Sequence, residues 1–200
     1  MKIRTSGQTG EGARRVLSLL VEQPSATVLR PCPGCVKPCA CPRNATDCGC
    51  GCSPDCPDAA RALSSDPARY PVESLVVPLV FALAELRLAV PCWSCEGHLT
   101  VAGEWVRVPQ VWFYAEDAVL TELLARHLAS LRDRGVVEHL WEITVSPYSA
   151  CEVTTFVIRP VIDPGADARS VLERLQQELP VLASGLRAST LAQARSRLKR

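Results

Sequence analysis

Cysteine is the residue whose number and spacing most clearly indicate chemistry in this sequence. Eight of the eleven cysteines fall between positions 32 and 56. A C-x-x-C turn centred on Pro-Gly directs two sulfurs toward one tetrahedral ion, and in a C-x-C step the two side chains project to the same side. Eight thiolates match two zinc ions with four ligands each, in pairings that the spacing does not choose. The predicted ligands are Cys32, Cys35, Cys39, Cys41, Cys48, Cys50, Cys52 and Cys56.

The segment that carries these cysteines cannot fold around a hydrophobic core, because it is rich in proline and glycine and almost lacks large apolar side chains. Metal binding supplies the missing stability, by about 10 to 16 kcal/mol for a structural zinc. An iron-sulfur cluster has the same four-sulfur requirement and stays open as the alternative to zinc. A closed four-thiolate site has no position for a substrate, so a structural role is favoured over catalysis.

A second group of metal-ligating residue types follows at Pro91-Cys92-Trp93-Ser94-Cys95-Glu96-Gly97-His98. Cys92, Cys95 and His98 supply three zinc ligands, and the fourth is Cys151, a cysteine of the first group, or water. Water would leave an open catalytic geometry, in which Glu96 and His98 are the candidate catalytic residues and Glu96 is the general base. Buried thiols in a tight turn are the simpler interpretation.

The elements that must position these residues follow an α+β order. Hydrophobic residues make up 48% of the chain, enough for a globular core. The predicted helices cover 13–22, 58–64, 71–88 with a kink or break at Pro78, 117–132, and two C-terminal stretches separated by Pro180. The predicted strands cover 89–93, 99–101, 105–114, 141–146 and 153–159. We expect an antiparallel sheet with helices on one face, preceded by a small metal-stabilised Cys-rich module.

Three segments follow from this pattern. Residues 1–30 form an N-terminal segment with a short helix, 31–57 the Cys-rich metal-binding module, and 58–200 the α+β domain. In the helix predicted over 117–132, His127 shares a face with leucines and is interpreted as a packed core histidine rather than a ligand.

Charge and hydropathy limit the class of protein. The formal net charge of +1 provides no global field that would attract nucleic acid or an acidic membrane. The longest apolar stretch, 72–90, contains Glu73, Pro78, Glu85 and Arg87, which favours a buried or amphipathic helix over a membrane span. We therefore expect a cytoplasmic protein with no membrane partner, and the reducing cytoplasm favours metal binding over disulfides.

The Ser94-Cys95-Glu96-Gly97-His98 segment resembles the Ser-Cys-x-Gly-[Arg/His] signature of the wybutosine-tRNA methyltransferase family, which lies between strands of an α+β fold. The resemblance covers five residues and implies S-adenosylmethionine and tRNA as ligands, with His98 at the last position of the signature. The whole arrangement, a Cys-rich front joined to this motif, resembles an uncharacterised proteobacterial family. That family implies no established activity.

The leading hypothesis from the sequence is a cytoplasmic zinc-binding protein. Its thiolate cluster is structural, and its α+β domain binds a protein or RNA partner without catalysis. One alternative is a metal- or S-adenosylmethionine-dependent enzyme acting at Cys92, Cys95, Glu96 and His98. The second alternative is an iron-sulfur protein.

Overall fold

The structure is a computed structural model, and it describes residues 10–22, 54–56, 58–115, 117–146 and 154–199. The helices in these ranges are α1 (Gly10–Glu22), α2 (Ala59–Ala62), α3 (Val77–Ala84), α4 (Ala118–Asp133), α5 (Ala168–Ala183) and α6 (Leu186–Leu198). The strands are β1 (Ala89–Cys95), β2 (His98–Leu99), β3 (Trp105–Arg107), β4 (Gln110–Ala115), β5 (Trp141–Ser146) and β6 (Thr155–Pro160). Of the predicted Cys-rich module, the described residues include Cys56, and the predictions for Cys32 to Cys52 and for Cys151 lie outside them.

Within the described residues, four strands form one antiparallel sheet in the order β1-β4-β6-β5, and β2 pairs with β3 in a separate two-stranded ribbon. Alternation along β4 assigns the two faces of the main sheet. Val111, Phe113 and Ala115 are buried, and the residues between them are half-buried. Phe113 stacks on Phe156 of the neighbouring strand, with ring centroids 5.7 Å apart. The buried face carries the helices, because α3 packs on β1 and α4 packs on β4 and β5. The α+β class predicted from the sequence is confirmed.

The hydrophobic core lies between this sheet and the helices, and it also includes the N-terminal helix. Leu17 and Leu20 of α1 are 6% and 2% exposed and belong to the same cluster as the sheet residues. Helix α1 packs on α6 and α4. Each fully buried leucine contributes roughly 1.5 to 3 kcal/mol, so α1 is energetically part of the α+β fold. The largest fully buried side chains are Phe113, Leu79, Leu83, Leu86, Leu120, Leu123, Leu124, Ile158, Leu175, Leu179, Leu182 and Leu186.

Helix α4 follows its sequence signals closely. The Asp117 side chain caps the helix by accepting a hydrogen bond from Val119 N at 2.6 Å. The chain leaves the helix at Gly135, whose φ of +66° is a conformation that glycine adopts without strain. The prediction of a core histidine is confirmed, since His127 is 3% exposed and its Nε2 lies 3.1 Å from Leu182 O. The leucines of the predicted face, Leu120, Leu123, Leu124, Leu128 and Leu131, are all buried.

Proline positions account for the main differences from the predicted element boundaries. The helix predicted over 71–88 begins only at Val77. Pro78 lies in its first turn, where a backbone N–H would have no acceptor within the helix, so its absence costs no hydrogen bond. The strand predicted over 105–114 is split into β3 and β4, with Pro109 in the break. Pro180 does not separate two helices. It lies inside α5, and the break falls at Gly185, which has a φ of +68°.

Within the apolar stretch 72–90, for which a buried or an amphipathic helix was expected, α3 is a buried core helix. Val77, Leu79, Val80, Phe81, Ala82 and Leu83 are all buried. Among the described residues, no helix combines the length and the apolar character needed to cross a membrane.

A buried carboxylate joins the sheet to α5. Glu178 is 7% exposed. Its Oε1 accepts hydrogen bonds from the backbone N–H groups of Glu138 and His139 at 2.6 and 3.1 Å, and His139 Nδ1 lies 3.1 Å from the same oxygen. Its Oε2 accepts a hydrogen bond from Trp141 Nε1 at 2.7 Å. Because a carboxylate only accepts, this arrangement satisfies it and fixes the chain at the start of β5.

Candidate metal site

Three side chains of metal-ligating type converge beside the end of β1. They are Glu73, in the segment before α3, Cys95, the last residue of β1, and His98, the first residue of β2. One ligand atom from each lies within 4.8 Å of the other two. Glu73 Oε1 and His98 Nε2 are 2.7 Å apart. Cys95 is buried, Glu73 is half-buried and His98 is exposed, so the group extends from the domain surface into its interior.

The reversal between β1 and β2 brings Cys95 and His98 together. It is made by Glu96 and Gly97, and Gly97 has a φ of +92°. A Cβ at position 97 would lie 2.7 Å from Leu172 Cδ1 and equally close to two ring carbons of Pro109. Glycine is therefore required both by the backbone conformation and by the space available. This turn corresponds to the Cys-Glu-Gly-His part of the motif identified in the sequence.

The turn also directs a hydrogen-bond donor at the cysteine sulfur. The backbone N–H of Gly97 donates to Cys95 Sγ at 3.4 Å. Burial raises the pKa of the Cys95 thiol and the Glu73 carboxylate raises it further, while the Gly97 amide and the positive charge of Arg107 lower it. A metal ion bound at this sulfur would take the place of the thiol proton, because the thiolate is the form that binds metals.

Two glutamates hold the site in place by exchanging hydrogen bonds with each other's segment. Glu73 Oε2 accepts a hydrogen bond from Glu96 N at 2.7 Å, which leaves Glu73 Oε1 directed at His98. In return, Glu96 Oε2 accepts a hydrogen bond from Leu75 N at 2.9 Å. Outer hydrogen bonds of this kind orient metal ligands and are typical of metal centres. Glu96, the general base expected if the site is catalytic, thus has one carboxylate oxygen engaged in joining the two segments.

Helix α5 supports the turn from the other side. The side-chain amide of Gln176 donates hydrogen bonds to the carbonyl oxygens of Glu96 and Gly97, at 3.2 and 3.4 Å. Leu172, one helical turn earlier, is the side chain that leaves no space for a Cβ on Gly97. Neither residue is predicted as part of the site from the sequence, because Gln176 is 80 positions from Glu96 and no local pattern connects α5 to the turn.

The structure brings together two of the three ligands that the sequence predicts for this site. Cys95 and His98 contribute to the three-atom group, and Cys92 lines the same pocket without being part of that group. Glu73 is the residue that the sequence analysis missed as a ligand. It is 25 positions from His98, and no motif connects the two. Cys56, predicted as a ligand of the first group, is buried in a small apolar cluster with Ala59, Val77 and Phe81.

The site opens onto a pocket of about 860 Å³. The segment that precedes α3 forms one wall, and strands β1 and β3 form the other. Glu73, Cys95 and His98 all line this pocket, together with Cys92 and Trp93. A carboxylate, a thiol and an imidazole that meet at one point can hold a metal ion. An ion bound there would face the pocket.

No protein-family model matches this sequence, and comparisons with curated proteins and with solved structures give no match either. The function is therefore inferred from the geometry of the site.

Proposed function

We propose that this chain is a zinc-binding protein in which Glu73, Cys95 and His98 ligate one zinc ion. The proposal rests on one observation, the meeting of three donor atoms within 4.8 Å from two distant segments of the chain. A carboxylate, a thiolate and an imidazole are all established zinc ligands, and the two anionic ligands neutralise the charge of the ion. The presence of oxygen and nitrogen donors at this point favours zinc over a cysteine-ligated iron-sulfur cluster.

The distances are compatible with tetrahedral zinc after a small adjustment. Zinc-ligand bonds of about 2.0 to 2.3 Å place neighbouring donor atoms about 3.3 to 3.6 Å apart. All pairs of the group are already within 4.8 Å. Glu73 Oε1 and His98 Nε2, now 2.7 Å apart, have to separate by about 0.6 Å to reach that spacing. Both side chains are partly exposed, so a rotation of this size needs no repacking of the core.

The three ligands leave a fourth position, and this position faces the pocket. Structural zinc sites use four protein ligands, whereas three protein ligands with an open position are typical of sites that bind water or a substrate. In the part of the chain that the structure describes, the group has no fourth cysteine, histidine or carboxylate. A fourth position that holds water and faces the pocket is the geometry of the second candidate function, a metal-dependent enzyme acting at this site.

The Cys-rich module predicted over 31–57 is a separate part of the proposal. Its eight thiolates hold two further structural zinc ions, with an iron-sulfur cluster as the alternative. The cytoplasmic location and a protein or RNA partner for the α+β domain stay predictions from the sequence.

Elemental analysis of protein purified without oxygen or chelators tests the proposal. We expect about three zinc ions per chain and no visible colour. The variants Glu73→Gln, Cys95→Ser and His98→Ala should each lose one zinc and keep the others. Glu104→Gln is the matched control, because Glu104 is an exposed glutamate in the β2–β3 turn and its removal should leave the zinc content unchanged.

Two further variants separate the parts of the proposal. Cys92→Ser should keep the full zinc content, and loss of one zinc in this variant would make Cys92 the fourth ligand and close the site. Cys35→Ser should affect only the zinc of the Cys-rich module. If the Glu73, Cys95 and His98 variants all retain the zinc content of the unmodified chain, the proposed site is wrong. Iron with acid-labile sulfide would establish the iron-sulfur alternative for the module.

A further inference from the structure

Two arginine side chains on the pocket wall are held against aromatic rings. The guanidinium carbon of Arg107 lies 4.8 Å from the centre of the Trp93 ring, and that of Arg69 lies 5.0 Å from the centre of the Tyr70 ring. All four residues line the pocket that contains the proposed zinc site. A guanidinium stacked on a ring keeps its N–H edge available for hydrogen bonding, and the stacking reduces the conformational freedom lost when it binds a ligand.

Neither guanidinium group forms an ion pair with a carboxylate of the described residues. Asp66 lines the same pocket, but one of its carboxylate oxygens accepts a hydrogen bond from the backbone N–H of Arg69 at 3.3 Å. The charge of zinc is neutralised by its two anionic ligands. The two arginines and Asp66 together then give the pocket a net charge of one positive unit. The pocket therefore suits a ligand with one negative charge.

Most of the remaining pocket residues are apolar, and three serines, Ser64, Ser65 and Ser94, also line it. Its volume of about 860 Å³ lies within the range of pockets that bind small organic molecules. Trp93, which lines this pocket, is 39% exposed. The other apolar residues of the wall are Leu63, Pro71, Val72, Val80, Pro91 and Val106. A wall of this composition contacts the hydrocarbon part of a ligand, while the polar groups fix its orientation.

We propose that the pocket binds a small organic monocarboxylate whose carboxylate completes the coordination of zinc and accepts hydrogen bonds from Arg107. The inference rests on the proposed zinc site. The planar edge of a guanidinium matches the two oxygens of a carboxylate. A carboxylate can therefore place one oxygen on the metal and share the other with the arginine. The single negative charge distinguishes it from a phosphate monoester, which carries close to two at neutral pH.

Cobalt(II) substitution provides the test, because this ion occupies zinc sites and its visible spectrum changes with its ligands. The thiolates of the Cys-rich module also bind cobalt, so the spectrum of the site is taken as the difference between the unmodified chain and Cys95→Ser. Benzoate is the probe, and acetate and phenyl phosphate are the comparisons. We expect benzoate to change the difference spectrum saturably and to bind more tightly than either comparison anion.

Two arginine variants complete the design. Arg107→Gln should weaken benzoate binding by about tenfold or more, because it removes a charge-assisted hydrogen bond to the carboxylate. Arg126→Gln is the control with the same change of charge, since Arg126 lies on α4 in an exposed salt bridge and does not line the pocket. It should leave benzoate affinity unchanged.

The outcomes distinguish this inference from the proposed function. If the difference spectrum shows a cobalt site that benzoate does not alter, the monocarboxylate proposal is wrong and the metal site stands. Tighter binding of phenyl phosphate would overturn the choice of a carboxylate, and equal binding of acetate would overturn the role of the apolar wall. An affinity unchanged in Arg107→Gln would refute the assigned role of the arginine. If no cobalt spectrum depends on Cys95, the proposed metal site and the ligand proposal both fail.

Discussion

Replacing Gly97 with alanine should disrupt the turn on which the proposed zinc site depends. The residue has a φ of +92°, and a left-handed backbone conformation costs an alanine about 1 to 2 kcal/mol. The added Cβ would also lie 2.7 Å from Leu172 Cδ1 and from two ring carbons of Pro109. The leucine can rotate away, but the buried proline ring cannot, so overpacking adds about 1 to 3 kcal/mol. We expect Gly97→Ala to lower the free energy of unfolding by about 2 to 5 kcal/mol.

Gly103→Ala is a matched control within the same chain. Gly103 has a φ of +84°, close to that of Gly97, but a Cβ there would have no heavy atom within 4 Å. Its free energy of unfolding should fall only by the cost of the left-handed backbone conformation, about 1 to 2 kcal/mol. The difference between the two variants therefore isolates the crowding against Leu172 and Pro109, and the zinc affinity of Gly103→Ala should stay unchanged.

Urea unfolding followed by tryptophan fluorescence measures both variants, with chelator and reductant present. All four tryptophans lie on strands of the α+β domain, so the signal reports this domain. Zinc affinity is measured separately by competition with a chromogenic chelator, and we expect a loss of about 10- to 100-fold for Gly97→Ala because the turn orients two ligands. If the two variants are equally stable and bind zinc equally well, the crowding has no consequence and the reasoning is refuted.

Three further predictions concern the core and its polar groups. Glu178→Gln should lower the free energy of unfolding by about 1 to 3 kcal/mol, because an amide –NH₂ would face a donor such as Trp141 Nε1. The control is Arg174→Ala, which removes an exposed ion pair and should show no such loss in urea unfolding. Burial lowers the pKa of His127 from its ordinary value of 6.5, and the charge of Arg134 lowers it further. The unfolded chain therefore takes up a proton below about pH 6.5 that the folded chain does not, so stability should fall from pH 7 to pH 5 and fall less in His127→Gln. Asp117→Ala should lower the free energy of unfolding by about 1 kcal/mol through loss of the α4 cap, with unchanged zinc content.

The sequence was enough to predict the elements that are stabilised by residues close to one another in the chain. The leucine spacing of α4, with Asp117 before it and Gly135 after it, determines both the helix and its ends. The alternation in β5 predicts the strand correctly but not a continuous buried face, since Trp141 is 4% exposed and Val145 is 47% exposed. The helix is confirmed because the hydrophobic period and the capping groups act over a few residues, and the tertiary fold only has to be compatible with them.

Proline was a less reliable guide, since its effect depends on what its missing N–H would have bonded to. At Pro78 that N–H would have no helical partner, so the residue begins α3. At Pro180 the helix loses one hydrogen bond near its C-terminus and continues to Ala183, where packing of Leu179 and Leu182 holds it in place. The sequence shows where a hydrogen bond is lost, but the packing energy that compensates for it comes from residues on other elements.

The candidate site likewise has one part that could be predicted from the sequence and one part that could not. Cys95 and His98 are three positions apart and share one turn, so their approach could be predicted from the sequence. Glu73 comes from a segment whose position depends on how α3 packs, and its 25-residue separation from His98 gives no pattern to recognise. The sequence instead favoured Glu96 as the acidic residue of the site because it lies between the two ligands in the chain. In the fold, one carboxylate oxygen of Glu96 bonds to Leu75 N and so helps to hold the Glu73 segment in place.

This arrangement couples metal binding to the stability of the domain. The Glu73 segment and the Cys95–His98 turn are held together by hydrogen bonds in both directions, and Gln176 of α5 fixes the turn from behind. Because the ligands are gathered only when these segments are folded together, an ion bound to all three stabilises the native state over the unfolded chain. At a free zinc concentration 100 times the dissociation constant, this stabilisation is about 2.7 kcal/mol. That stabilisation is similar in size to the free energy of unfolding that crowding at Gly97 is expected to remove. Zinc binding and crowding at Gly97 both act on the stability of the domain through the turn that holds Cys95 and His98.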